Sequence, residues 1–505
     1  MPFRFRVASI LFAAFACAMS SLLHAADDRP NIVLIMVDDM GWSDLGCYGG
    51  EIQTPHLDRL GREGLRFTQF YNCAKCETSR AALISGRYAP EVGIAKLQNC
   101  RTIAQRMRDA GYTTLMTGKW HLSGNPVDHG FDRYFGHLSG ATNFFHGDNT
   151  FCLDDQPFEV PKEGFYTTDA NTDYAIEFLE AADRDRPVFL YIAYNAPHYP
   201  LHAPRENVEK YRGRYEGGWD RLREERLARI RELGLIQEPF ALPPRPEDVP
   251  AWESLSAEER ETQQLMMAAY AGMIDRVDQN IGRLRAALEL QGRFENTLFL
   301  FLSDNGACPF QRTTKKTLEN QLMPWDPESY WTYDKGWAHA CNTPFREYKR
   351  NQHEGGICTP LIAHWPRGIS RPGEITSQPG QIVDLLATCI DVAGVDREDA
   401  LAAAPFRGRS LKPIFSGQQR TPHEAIYFTF YGTHNALRVG DWKLVNIDRG
   451  PWELYNLAED RTELHDRASS ERDRLVELRT LWEEMQQEIG TGRSGRKAKR
   501  AKSSN

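Results

Sequence analysis

Apolar residues along the chain gather in short runs separated by longer segments with a helical period, which predicts an α/β protein built on a large, mainly parallel central sheet flanked by helices. The runs are Ile32 to Val37, Tyr112 to Met116, Val188 to Tyr194, Leu298 to Leu302 and Leu361 to Trp365. Between them, Thr54-Pro55 predicts a helix opened by a cap and a first-turn proline, and Thr102 to Ala110 predicts a second. The longest candidate, roughly Thr262 to Gln291, carries Met266, Tyr270, Met273, Val277, Ile281, Leu284 and Leu288 on one stripe. Segment 206–261 breaks the pattern. It is charged, with Arg-rich helical stretches and a proline-rich break from Pro243 to Pro250, and reads as a surface insertion within a large unit spanning 27–418. From Ala425 to Leu457 short strands follow one another, including Ala436 to Val439 and Trp442 to Ile447, and a helix then runs to about Ile489. This predicts a smaller C-terminal α+β subdomain over 419–490, an antiparallel sheet plus a helix. No internal repeat is legible.

With 505 residues, 41% of them hydrophobic, the chain can bury a large core and more than one domain. A net charge of −8 argues against a nucleic-acid binder, so any anion recognition must be local, built from a few placed cations. Arg4 and Arg6 precede a mostly apolar stretch from Val7 to Leu23, and Leu23-His24-Ala25 supplies small-residue cleavage logic. Residues 1–25 therefore read as a signal peptide, which implies export to the periplasm or medium if the source is bacterial. Ser9, Ser20 and Ser21 interrupt the run, and no other segment is long and apolar enough to span a bilayer, so stable membrane insertion is not expected. Ten cysteines include Cys17 in the leader and leave nine, an odd count that flags a thiol with a task other than pairing. Residues 491–505 form a basic tail that reads as a solvated, disordered end.

In open α/β sheets, ligands gather beyond the carboxyl ends of the strands. Here those ends share a chemistry. The first run ends in Asp38-Asp39 and the fourth in Ser303-Asp304-Asn305-Gly306; the others lead into Gly118-Lys119-Trp120-His121 and Pro197-His198. Taken singly, each has a plain reading as a turn, a hairpin signal or a solvated loop. Together they place three carboxylates, an amide and several cations on one sheet edge. Hard oxygen ligands suit Ca²⁺ or Mg²⁺, whereas Zn²⁺ would favour His and Cys. Four such groups leave room for substrate oxygens in a shell of about six to eight, which fits Ca²⁺ better. Beside Lys119, His121 and His198, such a metal makes a site for a tetrahedral oxyanion, sulfate or phosphate.

The stretch Tyr71-Asn72-Cys73-Ala74-Lys75-Cys76-Glu77-Thr78-Ser79-Arg80 narrows that choice. Cys76-x-x-x-Arg80, followed by Ala81-Ala82-Leu83-Ile84-Ser85-Gly86-Arg87, closely resembles the signature of type I, formylglycine-dependent sulfatases of the alkaline-phosphatase-like superfamily. Gly118-Lys119-Trp120-His121, Pro197-His198-Tyr199-Pro200, and Lys349 ahead of His353-Glu354-Gly355-Gly356 resemble further motifs of that family in its order. The resemblance spans Asn31 to about Leu457, and the stretch from Trp337 to Trp365 is similar to the bacterial arylsulfatase branch. The third motif position, usually Pro or Ala in the family, is Thr78 here. Reading Cys73-x-x-Cys76 as a zinc motif lacks two further soft ligands at a suggestive spacing, and a redox reading would leave Arg80 and the metal cluster unexplained. Neither a P-loop nor a Gly-x-Ser-x-Gly elbow is present.

The resemblance implies that a maturation enzyme oxidises Cys76 to formylglycine, and that Asp38, Asp39, Asp304, Asn305 and the modified Cys76 hold one Ca²⁺. It further implies that the formylglycine hydrate attacks sulfur to give a sulfated-enzyme intermediate, while Arg80, Lys119 and Lys349 neutralise the sulfate oxygens. His198, with Lys349 beside it, would protonate the leaving oxygen, and His121 would take the proton of the second hydroxyl. The expected substrate is a small-molecule or glycan sulfate monoester. Two alternatives remain at this level: a phosphate or phosphonate monoester hydrolase of the same superfamily, and a non-catalytic binder of sulfated glycans.

Overall fold

The computed structural model describes residues 28–236, 240–398, 400 and 405–490, so the leader and the basic tail lie outside the described residues. The large sheet is built from β1 (Asn31–Val37), β2 (Leu65–Tyr71), β3 (Thr113–Gly118), β4 (Arg133–His137), β5 (Phe151–Leu153), β6 (Gln156–Pro157), β7 (Val188–Ala193), β8 (Thr297–Ser303), β9 (Cys358–His364), β10 (Ile375–Thr376) and β11 (Gly380–Gln381). Its order is β10-β2-β9-β8-β1-β7-β3-β4-β5-β6, with β11 also on β2. β8, β1, β7, β3 and β4 run parallel, while β9 runs antiparallel to both β8 and β2. Every residue of β1, β7 and β8 is buried, which is why these strands read as uninterrupted apolar runs. β2 escaped the sequence reading because Arg66 and Gln69 break its apolar pattern.

Helix starts divide into local and distant solutions. Thr102 caps Ile103–Asp109 by accepting from the Gln105 N–H at 3.1 Å. Thr54, expected to cap Pro55–Glu63, makes no such bond. The His56 and Leu57 N–H groups instead donate to Asp278 at 3.1 and 2.7 Å, across from the long helix Ala257–Leu290. Thr54 Oγ1 is turned to the Gly46 N–H and to Asp58. The long helix buries the predicted stripe and begins five residues earlier than Thr262, at a capping box of Ser256 with Glu259 whose first turn is polar and exposed.

The segment expected as a surface insertion is surface on one side only. Its helix Gly218–Glu232 buries Trp219, Leu222, Arg226, Leu227 and Ile230. Trp219 packs edge-on against Trp252 and Trp337, with ring centroids 4.9 and 5.5 Å away. Arg226, fully buried, pairs with Asp44 at 2.7 Å and Glu51 at 2.8 Å. An Arg-rich stretch signals solvent only while its carboxylate partners, more than 170 residues away, are out of view.

The C-terminal region forms a separate antiparallel sheet, β12 (Ile426–Phe430), β13 (His434–Val439), β14 (Trp442–Asn446) and β15 (Trp452–Asn456), in sequence order. Helix Arg472–Ile489 covers one face, with Leu478 and Trp482 packed on Tyr427, Leu437, Leu444 and Leu454. The other side meets the large sheet through buried ions. Lys443 lies 2.8 Å from both Glu354 and Glu463, and Arg461 lies 2.9 Å from Glu354. No helix among the described residues is long and apolar enough to cross a membrane.

Candidate active site

The carboxyl ends of β1, β7, β8 and β3 are adjacent in the sheet, and the chain leaves each one with a polar side chain aimed at a common point. β1 delivers Asp38 and Asp39, and β8 delivers Asp304 and Asn305, all four buried. Asp39 turns the chain with φ 68°, and its N–H donates to Asp304 Oδ1 at 3.3 Å. β3 ends at Gly118, whose φ of 97° and close approach to the Ala193 carbonyl exclude a Cβ. That turn sends Lys119 inward onto Asp38. After β7, His198 stands with Nε2 3.6 Å from Asp39 Oδ2 and Nδ1 2.8 Å from the Tyr199 carbonyl.

Cys76 begins a helix, Cys76–Ser85, all of whose residues are buried, so position 76 faces the positive end of its dipole. The next residues pin that helix to the sheet. Ser79 Oγ accepts from the Cys73 N–H at 3.0 Å and donates to the Asp304 carbonyl at 2.6 Å. The next residue, Arg80, bridges Asp38 and Asp304 at 3.1 and 3.0 Å and donates to the Lys119 carbonyl at 3.0 Å. Thr78 Oγ1 reaches back to the Lys75 carbonyl at 2.8 Å, a local hydroxyl bond that neither Pro nor Ala could make. Lys349 comes from the loop before β9 and pairs with Asp39. His121, with φ 54°, packs on Gly140, where a Cβ would lie 2.5 Å from Nε2. The structure thus brings the ten residues singled out in the sequence into one cluster at the carboxyl ends of these strands.

Buried charges of both signs meet in this cluster. Arg80, Lys119 and Lys349 face Asp38, Asp39 and Asp304, yet Asp38 Oδ1, Asp39 Oδ2 and Asn305 Oδ1 are buried without a hydrogen-bond partner. Orphaned buried oxygens are costly, and hard oxygen donors of this kind are what a divalent cation would satisfy. Sγ of Cys76 lies within 4.8 Å of carboxylate oxygens of Asp38 and Asp304. Burial works to raise Asp38, but Lys119, His198 and Arg80 hold it well below the usual carboxylate range. Burial and the charge of Asp38 push Asp304 up to about 7. Burial, with Lys119 and Arg80, lowers His121 to about 2, and burial lowers His198 to about 4. Lys349 stays protonated, because Asp39 more than offsets its burial. Burial drives the Cys76 thiol up to about 11, which makes the unmodified side chain a poor nucleophile.

Residues 30–395 match the family model described as Sulfatase. The chain belongs to the sulfatase family. A second model, N-sulphoglucosamine sulphohydrolase, C-terminal, matches residues 346–490. This sulfatase is 32% identical over 456 residues to the arylsulfatase of Klebsiella aerogenes, covering 81% of this chain and 98% of that one. It is 28% identical over 504 residues to the N-acetylglucosamine-6-O-sulfatase of Bacteroides thetaiotaomicron, covering 86% and 82%. The crystal structure of Ps i-CgsB in complex with k-i-k-neocarrahexaose superposes with a TM-score of 0.69 at 25% identity, covering 92% of this chain and 94% of the other. The protein is therefore a sulfuric ester hydrolase with the mixed α/β fold of its relatives.

Two features of this sulfatase alter the sequence reading. All nine cysteines among the described residues are free, so the odd count that drew notice to Cys76 has no bearing on it; its position does. The second is a group of residues that the sequence did not single out. Glu77, buried beside Cys76, is held by Lys75 and by the Tyr431 hydroxyl from the C-terminal sheet. Tyr431 follows Glu77 by 354 positions, a separation no local pattern reveals.

Proposed function

We propose that this sulfatase is an exported, calcium-dependent enzyme whose Cys76 is matured to formylglycine and which hydrolyses aryl-type sulfate monoesters, with carbohydrate sulfates as its targets in vivo. The observation that carries the reading is the placement of Cys76 at a helix N-terminus against Asp38 and Asp304, in a cluster where Asp38, Asp39 and Asn305 each keep an oxygen without a partner. The identity to an arylsulfatase supports the aryl reading, and a relative named for a sugar sulfate supports the carbohydrate one.

Asp38, Asp39, Asp304 and Asn305 would hold the cation, whose chemistry is to polarise a sulfate oxygen and to favour the ionised form of a hydroxyl at position 76. The formylglycine hydrate would offer one hydroxyl to attack sulfur and a second through which the aldehyde is restored. Arg80, Lys119 and Lys349 are already oriented by carboxylates and need no rearrangement to neutralise charge on the transferring group, usually the largest catalytic contribution. Asp304, beside position 76, takes the proton of the attacking hydroxyl. His198 Nε2 gives a proton to the leaving oxygen, helped by the sulfate's negative charge, which counters the burial and, after it, the lysines that lower its pKa. His121, neutral in its buried setting, accepts the proton of the remaining hydroxyl. Peptide mass spectrometry on protein made in a host with a maturation enzyme should find the aldehyde at Cys76. Active protein carrying only a thiol there would overturn the reading.

A further inference from the structure

A band of half-buried aromatic and basic side chains skirts this site, and the chemistry above uses none of it. Each anchor of the band is the chain neighbour of a site residue: Lys75 precedes Cys76, Tyr199 follows His198, and Arg350 follows Lys349. Tyr199 and Phe310 share a cleft wall with Asp39. The guanidinium of Arg312 lies 5.7 Å from the Tyr199 ring centroid and 5.9 Å from that of Phe310. Arg350 lies 4.3 Å from Phe310 and 5.9 Å from Phe430, and Lys75 closes the arc 5.7 Å from Phe430.

The charges along this arc do not cancel. At the floor, three cations meet three carboxylates. On the arc, Glu77 is taken up by Lys75 and Tyr431, whereas neither Arg312 nor Arg350 joins an ion pair among the described residues, and Arg350 Nε is buried without a partner. Two guanidiniums fixed on aromatic faces, partly withdrawn from water and lacking carboxylates, are preorganised for an anion in a chain of net charge −8. We propose that Arg312 and Arg350, with the ring faces of Tyr199, Phe310 and Phe430, form a subsite for the leaving group that selects sulfate esters bearing a second anionic substituent. The rings cover the face of a sugar or aryl ring, and the guanidiniums take the carboxylate or second sulfate it carries. This subsite rests on the sulfate ester reading given above.

The test compares kcat/KM for three esters of similar size: neutral 3-carbamoylphenyl sulfate, 3-carboxyphenyl sulfate and 1,3-phenylene disulfate. Turnover of the neutral ester tests the aryl sulfate reading by itself. The subsite predicts that at least one anionic ester is preferred over the neutral one by about tenfold, and that Arg312→Met and Arg350→Met each pull that ratio toward one. Loss of the ratio toward the carboxylate alone, or toward the sulfate alone, identifies which anion is read. A ratio near one in the unaltered enzyme, or a preference that survives both substitutions, overturns the proposal. No turnover of any ester removes the aryl reading and the subsite together.

Discussion

Asp38, Asp39 and Asn305 each keep one buried oxygen without a hydrogen bond, and burial with the charge of Asp38 keeps Asp304 partly protonated near neutral pH. A divalent cation relieves both problems at once. Treatment with a chelator should therefore abolish hydrolysis of nitrophenyl sulfate, and Ca²⁺ should restore it better than Zn²⁺. Full turnover by protein shown to be metal-free would remove the cation site. The leaving-group proton gives a separate test. Nitrophenoxide departs unaided, whereas an alkoxide does not, and a positioned acid is worth about 10²- to 10⁴-fold in rate. His198→Ala should thus slow alkyl and unactivated aryl sulfates by roughly that factor and nitrophenyl sulfate far less. Equal losses across a leaving-group series would transfer the role to Lys349, which holds its proton throughout.

Helix Gly218–Glu232 shows how an element can be misplaced when only its own residues are read. Arg226 is as buried as any apolar neighbour, and its charge is met by Asp44 and Glu51 from the β1–β2 connection. Removing one partner of a buried ionic group typically costs about 3–5 kcal/mol, because the others are left desolvated and unpaired. Arg226→Met should lower stability by about that much in urea unfolding, with part of the loss recovered on adding Glu51→Gln. An unfolding midpoint equal to that of the unaltered protein would mean that the helix does not dock as described. The same lesson holds at Pro55–Glu63, whose first N–H groups are satisfied by Asp278 from another helix while Thr54 faces elsewhere.

The C-terminal sheet does more than cover an edge of the large one. Lys443 is sealed between Glu354 and Glu463, and Arg438 and Glu354 both meet the Tyr71 hydroxyl at the end of β2. Glu354 follows Lys349 by five residues, and Tyr71 precedes Cys76 by five, so the ionic seam grips both segments to which the proposed chemistry is assigned. The Arg350 N–H, donating to the Ala74 carbonyl at 2.7 Å, ties those two segments to each other. Lys443→Met should therefore destabilise the fold by about 3–5 kcal/mol and also lower kcat for every ester, whatever its leaving group. Wild-type turnover in a variant shown to be destabilised would confine the seam to a structural role.

Taken alone, the sequence determined the α/β class and the positions of the strands buried throughout, and it pointed to the strand-end residues that the fold brings together. Those features are written locally: a strand buried on both faces must be apolar throughout, and residues leaving the same end of a parallel sheet converge whatever lies between them. The cap on Pro55–Glu63, the buried face of Gly218–Glu232, the Glu77–Tyr431 contact and the seam around Lys443 were decided by tertiary structure alone. Each depends on a polar or charged side chain whose surroundings are set by a partner many residues away. A charged residue in sequence is equally consistent with solvent and with a buried counter-ion, because burial is tolerated only where the rest of the fold delivers the opposite charge.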